Sequence, residues 1–193
     1  MKLRGLYAIT PDGDGILQKV TQALEGGIAM LQYRRKKQGS AKEAKELLTL
    51  CRRHGVPFIV NDDLGLALEI GADGVHLGRD DGDLAAARRK LKGKLLGASC
   101  YDDAGAARAA VRAGADYVAF GAVFPSPTKP GAVRAPLALF RENPGVPVCA
   151  IGGITLENAP KVIEAGADMV AVISDLFDAA DIALRASQFK KLF

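Results

Sequence analysis

Residues 112–121 read "RAGADYVAFG", and this pattern of a glycine, a tight turn and an apolar strand decides the fold class. It recurs as "EGGIAMLQYR" (25–34), "EIGADGVHLG" (69–78) and "EAGADMVAVIS" (164–174). In each copy a helix ends at glycine and a buried parallel strand begins. Four more apolar runs alternate with these copies: "LYAIT" (6–10), "VPFIVND" (56–62), "KLLGAS" (94–99) and "VPVCAIGG" (146–153). The chain therefore contains eight candidate strands.

Each candidate strand is followed by a helical pattern, such as "SAKEAKELLTLCRRHG" (40–55) or "TLENAPKVIEAG" (155–166). Eight units in 193 residues give about 24 residues per unit. This spacing predicts an α/β fold, a single (β/α)8 TIM barrel domain over residues 1–193. An open doubly wound sheet is the alternative, but "ITPDGDG" (9–15) lacks the GxGxxG pattern expected after its first strand. A barrel would place the functional residues at the carboxyl ends of its strands.

The composition narrows the functional class. A hydrophobic content of 49% and a charged content of 25% are typical of a soluble globular protein. Three cysteines without a CxxC pair indicate reduced thiols and a cytoplasmic location. The net charge of +4 is spread over helical stretches without interleaved aromatics, which argues against nucleic acid. No apolar run approaches the roughly 20 residues that span a membrane. Small molecules are the expected partners, and the oligomeric state is not indicated.

The end of the second strand predicts an anion site. Side chains alternate along a strand, so Gln32, Arg34 and Lys36 share one face. The apolar residues between them belong under the helices, which directs this polar face into the mouth of the barrel. A guanidinium group there needs an anion or several acceptors. Arg35 and Lys37 are expected to lie in a solvated basic loop.

The third and fourth strands both end in acids, "NDD" (61–63) and "RDD" (79–81). Oxygen ligands on neighbouring strands indicate one hard cation, and Mg²⁺ takes one or two carboxylates together with water and phosphate oxygens. Asp63 and Asp80 can instead be simple helix N-caps. His76, inside the fourth strand, is interpreted as a structural histidine. Ser99, at the end of the fifth strand, is either a site residue or a structural hydroxyl.

The ends of the last two strands predict a second anion site, formed by Gly152, Gly153, Ile173 and Ser174. Glycine lets backbone N–H groups approach a phosphate, and barrels often bind phosphate in the loops after strands 7 and 8. A tight turn alone is the alternative explanation for the glycines.

The sixth strand is expected to run over residues 117–123 and to lead into "PSPTKPG" (125–131). Three prolines stiffen this loop, so Ser126, Thr128 and Lys129 can be held over the mouth at a reduced entropic cost. The predicted site then contains two phosphate positions and a divalent ion, without a Ser-His-Asp set or an acid/base pair. This combination indicates group transfer with pyrophosphate as the leaving group.

These motifs resemble the thiamin phosphate synthase family over essentially the whole chain. In order, they are "LYAIT", "QYRRK", "NDD", "GVHLGRDD", "GAS", "PSPTK", "IGGI" and "VIS". The resemblance implies a (β/α)8 transferase. It would join 4-amino-2-methyl-5-hydroxymethylpyrimidine pyrophosphate to 4-methyl-5-hydroxyethylthiazole phosphate, or its carboxylated form, giving thiamin phosphate and pyrophosphate with Mg²⁺. The implied chemistry is dissociative: pyrophosphate leaves first, and the thiazole nitrogen captures the resulting pyrimidine cation.

The resemblance also assigns roles to individual residues. Asp62 and Asp81 would hold Mg²⁺. Arg34, Ser99 and Lys129 would act at the reacting centre. The pyrimidine pyrophosphate would contact Gln32, Arg34, Lys36, Asn61, Ser99 and Lys129. The thiazole phosphate would contact Ser126, Thr128, Gly152, Gly153, Ile173 and Ser174.

The chain departs from the family pattern at Arg35, where an acid is frequent, and at Arg79, where glutamine is frequent. Both changes are expected to add positive charge near the pyrophosphate. Three alternatives remain: a thiazole tautomerase-like paralogue, a different phosphate-binding barrel enzyme such as an epimerase, and a non-enzymatic phosphate-ligand sensor. Tautomerase-like relatives carry a histidine at the end of strand 6, where this chain has Ala122. An epimerase would need paired acid/base residues, and a sensor would not need the two metal-binding acids.

Overall fold

The structure, a computed structural model, describes residues 3–35, 40–125 and 133–193. Eight parallel strands pair in chain order, and β8 pairs with β1, so that the sheet closes into the predicted barrel. The strands are β1 (Gly5–Ile9), β2 (Met30–Tyr33), β3 (Phe58–Asn61), β4 (Gly74–Leu77), β5 (Leu95–Tyr101), β6 (Tyr117–Phe120), β7 (Val148–Ile151) and β8 (Met169–Val172).

The helices of the described residues cover the outside of this barrel. They are α1 (Ile16–Gly26), α2 (Ala41–His54), α3 (Leu64–Ile70), α4 (Leu84–Leu91), α5 (Ala104–Arg112), α6 (Ala159–Glu164), α7 (Ser174–Phe177) and α8 (Ile182–Lys190). None of them is long and apolar enough to cross a membrane.

Several helices begin at a side chain that accepts a hydrogen bond from an N–H group of the first turn. Such caps satisfy donors that have no partner within the helix. The capping residues are Ser40 for α2, Asp63 for α3, Asp83 for α4, Asp103 for α5 and Asp181 for α8. The short polar residues that follow the strands thus fix where the covering helices start.

The segment after β6 differs from the sequence prediction in two ways. The strand ends at Phe120 rather than at residue 123, because the chain turns toward β7: the Val123 N–H group donates to the Ile151 carbonyl at 3.0 Å. In the described residues, the element before β7 is a 3₁₀ helix (Leu137–Arg141) rather than an α-helix. Pro136 precedes this helix and has no N–H group to donate.

Every strand is buried on both faces, so the alternation of side chains divides the core into two parts. The larger part packs between the sheet and the helices. The smaller part fills the inside of the barrel and consists of Leu3, Tyr7, Ile9, Met30, Ile59, Tyr117, Ala119, Cys149, Met169 and Ala171. All three cysteines are buried and unpaired.

The repeated "GAD" of the even strands has a structural role. In three copies the aspartate pairs with a residue near the start of the preceding odd strand, through both its main chain and its carboxylate. The carboxylates of Asp73, Asp116 and Asp168 accept from the N–H groups of Phe58, Leu96 and Val148 at 2.9, 2.7 and 3.0 Å. The fourth copy has Ala29 instead, which keeps only the main-chain bond to the Leu6 carbonyl, at 2.8 Å. The repeat therefore joins neighbouring strands at the amino-terminal end of the barrel.

Replacing one of these aspartates should destabilise the fold without touching the mouth. Asp168→Ala leaves the N–H group of the buried Val148 without its acceptor, which should lower the free energy of unfolding by about 1–3 kcal/mol in urea denaturation. Asp178→Ala removes an exposed aspartate at the end of α7 and should stay within about 0.5 kcal/mol of the wild type. Equal stability of the two variants would contradict this role of the repeat.

Candidate active site

The carboxyl ends of the eight parallel strands lie at one end of the barrel, which we call the mouth. Just below it, five side chains form a continuous row of hydrogen bonds, which we call the interior polar chain. The Gln32 Nε2 donates to the Tyr7 hydroxyl at 2.7 Å, and the Tyr7 and Tyr117 hydroxyl oxygens are 2.8 Å apart. The Tyr117 hydroxyl lies 3.1 Å from His76 Nδ1, and His76 Nε2 lies 2.9 Å from Ser99 Oγ. Two residues that the sequence assigns to the pyrimidine substrate, Gln32 and Ser99, are thus connected through the barrel.

Burial keeps the interior polar chain uncharged. It lowers the pKa of His76 to about 4, although the nearby Asp81 carboxylate acts in the opposite direction. It also raises the pKa values of Tyr7 and Tyr117 above the usual value of 10. At neutral pH the histidine is therefore neutral and both hydroxyls keep their protons. With both ring nitrogens engaged, His76 has the hydrogen bonding of a structural histidine.

Arg34 follows β2 and is held in place by its own main chain. The buried Thr10 hydroxyl donates to the Arg34 carbonyl and accepts from the Arg34 N–H group, both at 2.9 Å. Burial and Asp81 raise the pKa of Asp62, and the positive charge of Arg34 opposes this rise, so Arg34 acts on the acidic side of the mouth. In the described part of the chain, no carboxylate forms an ion pair with Arg34. Its charge is available to an anion.

Arg35 does not lie in a solvated loop, and the sequence expectation for it was wrong. Its guanidinium group forms a two-pronged ion pair with Glu43 of α2, with N–O distances of 2.6 and 2.9 Å. It also donates to the Pro11 carbonyl at 2.9 Å and lies over the Tyr33 ring. Its side chain is only 14% exposed. Because Glu43 balances this charge, Arg35 joins β2 to α2 and does not strengthen the anion site.

Asp62 and Asp81 lie close enough for the Asp81 carboxyl group to raise the pKa of Asp62. Partial burial, followed by the influence of Asp81, raises the pKa of Asp62 to about 6, while Asn61 and Arg34 oppose this rise. The Asn61 side-chain amide donates to Asp62 at 2.5 Å, and the Gly78 N–H group donates to Asp81 at 2.9 Å. Two acids that repel each other at a strand end form a site that a cation would stabilise.

The main-chain conformation directs the side chains of Asp62 and Asp63, the two consecutive aspartates after β3, to different partners. Asp62 has a φ of 61°, in the left-handed region that aspartate and asparagine tolerate better than most residues. Its N–H group donates to the His76 carbonyl at 2.8 Å, which ties the carboxylate to β4. Asp63 points the other way and caps α3 through the Leu66 N–H group at 2.8 Å. Asp63 is thus the N-cap that the sequence allowed.

The second predicted anion site lies where β7 and β8 end. Gly152 and Gly153 have φ values of 97° and 65°. A Cβ on Gly152 would lie 2.6 Å from the Ala122 Cα atom, so the close approach of the β6 segment already requires glycine there. Ile173 is the N-cap of α7, and Ser174 is its first residue and exposed. The first N–H groups of an α-helix lack intrahelical partners and can face a phosphate.

Four predicted site residues cannot be placed. Lys36, Ser126, Thr128 and Lys129 lie outside the described residues. Their roles stay predictions from the sequence.

Arg79 is exposed beside the acidic pair, and its guanidinium carbon lies 4.9 Å from the centre of the Tyr101 ring. Tyr101 is the last residue of β5 and follows an irregularity in its pairing with β6. The ring therefore holds the arginine at the rim of the mouth, two residues before Asp81 in the sequence.

One cavity lies far from the mouth, and another lies beside it. A cavity of about 530 Å³ lies at the opposite end of the barrel, near Arg4, His54 and Lys190, and none of the predicted site residues lines it. A second cavity, of about 330 Å³, is lined by Ser99, Gly78 and Tyr101 and opens beside the mouth. The concentration of polar side chains, and not the cavity volume, identifies the candidate site.

Three residues of the site were missed in the sequence. Tyr7 and Tyr117 connect Gln32 to His76, and Thr10 holds Arg34. A signal existed, since both tyrosines occupy inward positions in the same alternation that selects Gln32. Tyrosine in a strand is usually an apolar packing residue, so the hydroxyl partners became visible only with the closed barrel.

The described mouth can bind and orient anions, and it offers no obvious general base. Its histidine is neutral and engaged at both nitrogens, while its acids lie beside Arg34. This arrangement suits a reaction in which charge leaves on an anion and no proton needs to be removed.

Comparisons with known proteins agree with this chemistry. The family model described as thiamine monophosphate synthase matches residues 6–176. A thiamine-phosphate synthase from Aromatoleum aromaticum is 56% identical over 202 aligned positions, covering 100% of this chain and 97% of that protein. A thiamine-phosphate synthase from Methylobacillus flagellatus is 54% identical, covering 99% and 96%.

A solved structure gives the same result. The thiamine phosphate pyrophosphorylase from Pyrococcus furiosus superposes with a TM-score of 0.86 at 33% sequence identity, covering 99% of this chain and 96% of that one. The sequence match, the shared barrel and the composition of the mouth agree over the length of the chain. The protein belongs to the thiamine monophosphate synthase family.

Proposed function

We propose that this protein is a transferase that joins 4-amino-2-methyl-5-hydroxymethylpyrimidine pyrophosphate to 4-methyl-5-hydroxyethylthiazole phosphate, or to its carboxylated form, and releases pyrophosphate. The observation that carries this proposal is Arg34, which forms no ion pair within the described residues and acts electrostatically on Asp62 of the acidic pair at the mouth. The names of the relatives point to the same reaction.

The reaction needs one bond to break and one to form. The carbon–oxygen bond to pyrophosphate breaks first, and its electron pair leaves with the pyrophosphate. The electron-rich aminopyrimidine stabilises the cation that remains. The thiazole nitrogen then donates its lone pair to form the carbon–nitrogen bond, which yields thiamin phosphate. Because this nitrogen carries no proton, no general base is required, and the neutral His76 is compatible with the mechanism.

Arg34 binds the pyrophosphate in this proposal. A guanidinium group donates two parallel hydrogen bonds to phosphate oxygens, and its charge stabilises the departing anion. The pair of bonds between Thr10 and the Arg34 main chain fixes where the side chain starts. Lys36 and Lys129 are assigned to the same anion from the sequence alone.

Asp62 and Asp81 would hold a Mg²⁺ ion. Within the described residues, no group of three or more His, Cys, Asp or Glu side chains is gathered for a metal, so this pair would rely on water and substrate oxygens for the other positions, as Mg²⁺ commonly does. Bound there, the ion supplies positive charge for the leaving pyrophosphate. The amide of Asn61 and the N–H group of Gly78 orient the two carboxylates.

The thiazole phosphate is assigned to the ends of β7 and β8. Gly152 and Gly153 form the tight turn after β7, and the N-terminus of α7 would supply N–H groups at Ile173 and Ser174. The sequence adds Ser126 and Thr128 to this site. The two substrates would thus approach each other across the mouth.

A cytoplasmic location is part of the proposal. The thiols of Cys51, Cys100 and Cys149 are free, and free thiols are usual in a reducing compartment.

Incubation with both substrates and Mg²⁺ should produce thiamin phosphate and pyrophosphate in equal amounts, measured by chromatography. With the carboxylated thiazole phosphate alone, the enzyme should not accelerate tautomer interconversion followed by NMR, because the Ala122 methyl group cannot transfer a proton. Enzyme-dependent interconversion without coupling would support the tautomerase alternative. Binding of both substrates without either reaction would support a sensor.

The acidic pair predicts opposite effects of one substitution on activity and on stability. Asp62→Asn keeps the side-chain size and tolerates the φ of 61°, but should lower the coupling rate by about a hundredfold or more. Since the folded-state pKa of Asp62 is raised to about 6, ionisation of this group costs stability as the pH rises from about 4 to about 6. The metal-free variant should therefore melt at a higher temperature than the metal-free wild type at pH 7.

Thermal melts with and without Mg²⁺ complete this test. Mg²⁺ should raise the melting temperature of the wild type and of the control Asp63→Asn, which keeps an N-cap for α3, and should have little effect on Asp62→Asn. Full coupling activity in excess chelator would contradict the metal assignment.

Arg34→Ala should lower kcat/KM for the pyrimidine pyrophosphate by about a hundredfold or more, and by more than Lys129→Ala, because a guanidinium group binds phosphate in a bidentate manner. Arg34→Lys should recover only part of the loss. Arg53→Ala, an exposed position on α2, serves as the control and should be near wild type. A defect confined to the thiazole phosphate would mean that the two anion sites are assigned the wrong way round.

A further inference from the structure

The hydrogen bonds of the interior polar chain all donate in one direction, and the Gln32 amide determines that direction. The Gln32 Nε2 can only donate hydrogen bonds, so the Tyr7 hydroxyl oxygen accepts from it. Tyr7 has one proton of its own, and it must donate that proton to Tyr117. Tyr117 has then accepted once and donates its own proton to Nδ1 of His76. That nitrogen is bare, so the ring proton sits on Nε2 and is donated to Ser99 Oγ.

The opposite arrangement at the histidine leaves a buried proton without an acceptor. If Nδ1 of His76 carried a proton, the Tyr117 oxygen would receive hydrogen bonds from both His76 and Tyr7. The Tyr117 hydroxyl proton would then have no partner, which costs about 1–3 kcal/mol in a buried site. In the described part of the chain, no buried side-chain nitrogen or oxygen lacks a partner. An imidazolium, protonated at both nitrogens, meets the same obstacle.

The packing around the histidine leaves the two rings little freedom. Gly97 lies between them on β5, and a Cβ atom at this position would overlap the Tyr117 ring and the His76 Nδ1 atom. The rings of His76 and Tyr117 are 5.5 Å apart, and both residues are buried. The hydrogen-bond direction is therefore held by side chains that are fixed by the barrel.

The two end members of the interior polar chain, Gln32 and Ser99, each keep one hydrogen-bonding group that a ligand can use. At one end Gln32 has used an amide proton, and its Oε1 is left as an acceptor. At the other end Ser99 has accepted from His76, and its own hydroxyl proton is left as a donor. An aminopyrimidine offers the complementary pair, an amino N–H donor and a ring-nitrogen acceptor.

We propose that the interior polar chain is a one-way relay that presents an acceptor at Gln32 and a donor at Ser99, with Tyr7, Tyr117 and His76 as positioning residues for the pyrimidine substrate. This proposal rests on the proposed function. It adds a physical reason why the enzyme would bind a 4-amino pyrimidine in preference to a 4-oxo pyrimidine. A 4-oxo pyrimidine has the reversed pattern, with a carbonyl acceptor and a ring N–H donor, and would meet a mismatch at both ends.

The direction of the relay can be measured without any enzymatic assay. The chain has only two histidines, so ¹⁵N-histidine labelling gives two rings, and His54→Gln identifies the signals of His76. A two-bond ¹H–¹⁵N correlation spectrum of the metal-free protein at neutral pH should show Nε2 protonated and Nδ1 bare. A protonated Nδ1 would overturn the proposal, whether or not the protein is active, because His76 would then donate to Tyr117 and would present a bare Nε2 to Ser99.

The variant Tyr117→Phe tests whether the interior polar chain positions the pyrimidine substrate, because it removes one hydroxyl from the middle of that chain. The KM for the pyrimidine pyrophosphate should rise by about tenfold, and discrimination against its 4-oxo analogue, measured as the ratio of inhibition constants, should fall by about as much. The KM for the thiazole phosphate should not change.

The matched control is Tyr33→Phe, which removes a hydroxyl on the helix side of the barrel that bonds to Glu43. This variant should leave both KM values unchanged. An unchanged pyrimidine KM in Tyr117→Phe would overturn the positioning role. Failure of the proposed function would be separate, since a protein that couples no substrates would still report its histidine tautomer.

Discussion

Closure of the barrel through the pairing of β8 with β1 is the constraint on which the rest of the structure depends. A closed parallel sheet has no free edge, and it forces alternate residues of every strand into a common interior. Gly5 begins β1 where a Cβ atom would come within 2.9 Å of the Ala29 side chain, so the first and second strands can close only around a glycine. Once the ring is closed, side chains more than a hundred residues apart, such as Tyr7 and Tyr117, become hydrogen-bond partners.

The interior of this barrel holds neutral polar side chains, whereas its rim holds charged ones. Inside, burial keeps His76 and the two tyrosines neutral, and their hydrogen bonds fix donors and acceptors without introducing charge. At the rim, the acidic pair Asp62 and Asp81 lies under the influence of the Arg34 charge, and these groups suit the binding of ions. The division suits a substrate with a neutral heterocycle and a highly charged leaving group. The heterocycle would be recognised by hydrogen-bond polarity, and the leaving group by charge.

Much of this arrangement follows from local sequence patterns. The repeat of glycine, tight turn and apolar strand predicts the four even strands, and the apolar runs between its copies predict the four odd ones. The alternation of side chains directs Gln32 inward and Tyr33 outward, as the structure shows. The failures concern contacts between different structural elements, which a local pattern does not show. Arg35 was predicted to be solvated because the residues around it do not indicate its ion pair with Glu43 of α2. The end of β6 was misplaced because its apolar run continues after the chain has turned toward β7.

The most direct test of the account is a crystal structure of the protein with Mg²⁺ and pyrophosphate. We predict that Asp62 and Asp81 bind Mg²⁺ and that pyrophosphate contacts the Arg34 guanidinium group, while the interior polar chain keeps its hydrogen bonds. Pyrophosphate bound only at Gly153 and Ser174, with no metal between the two aspartates, would contradict it.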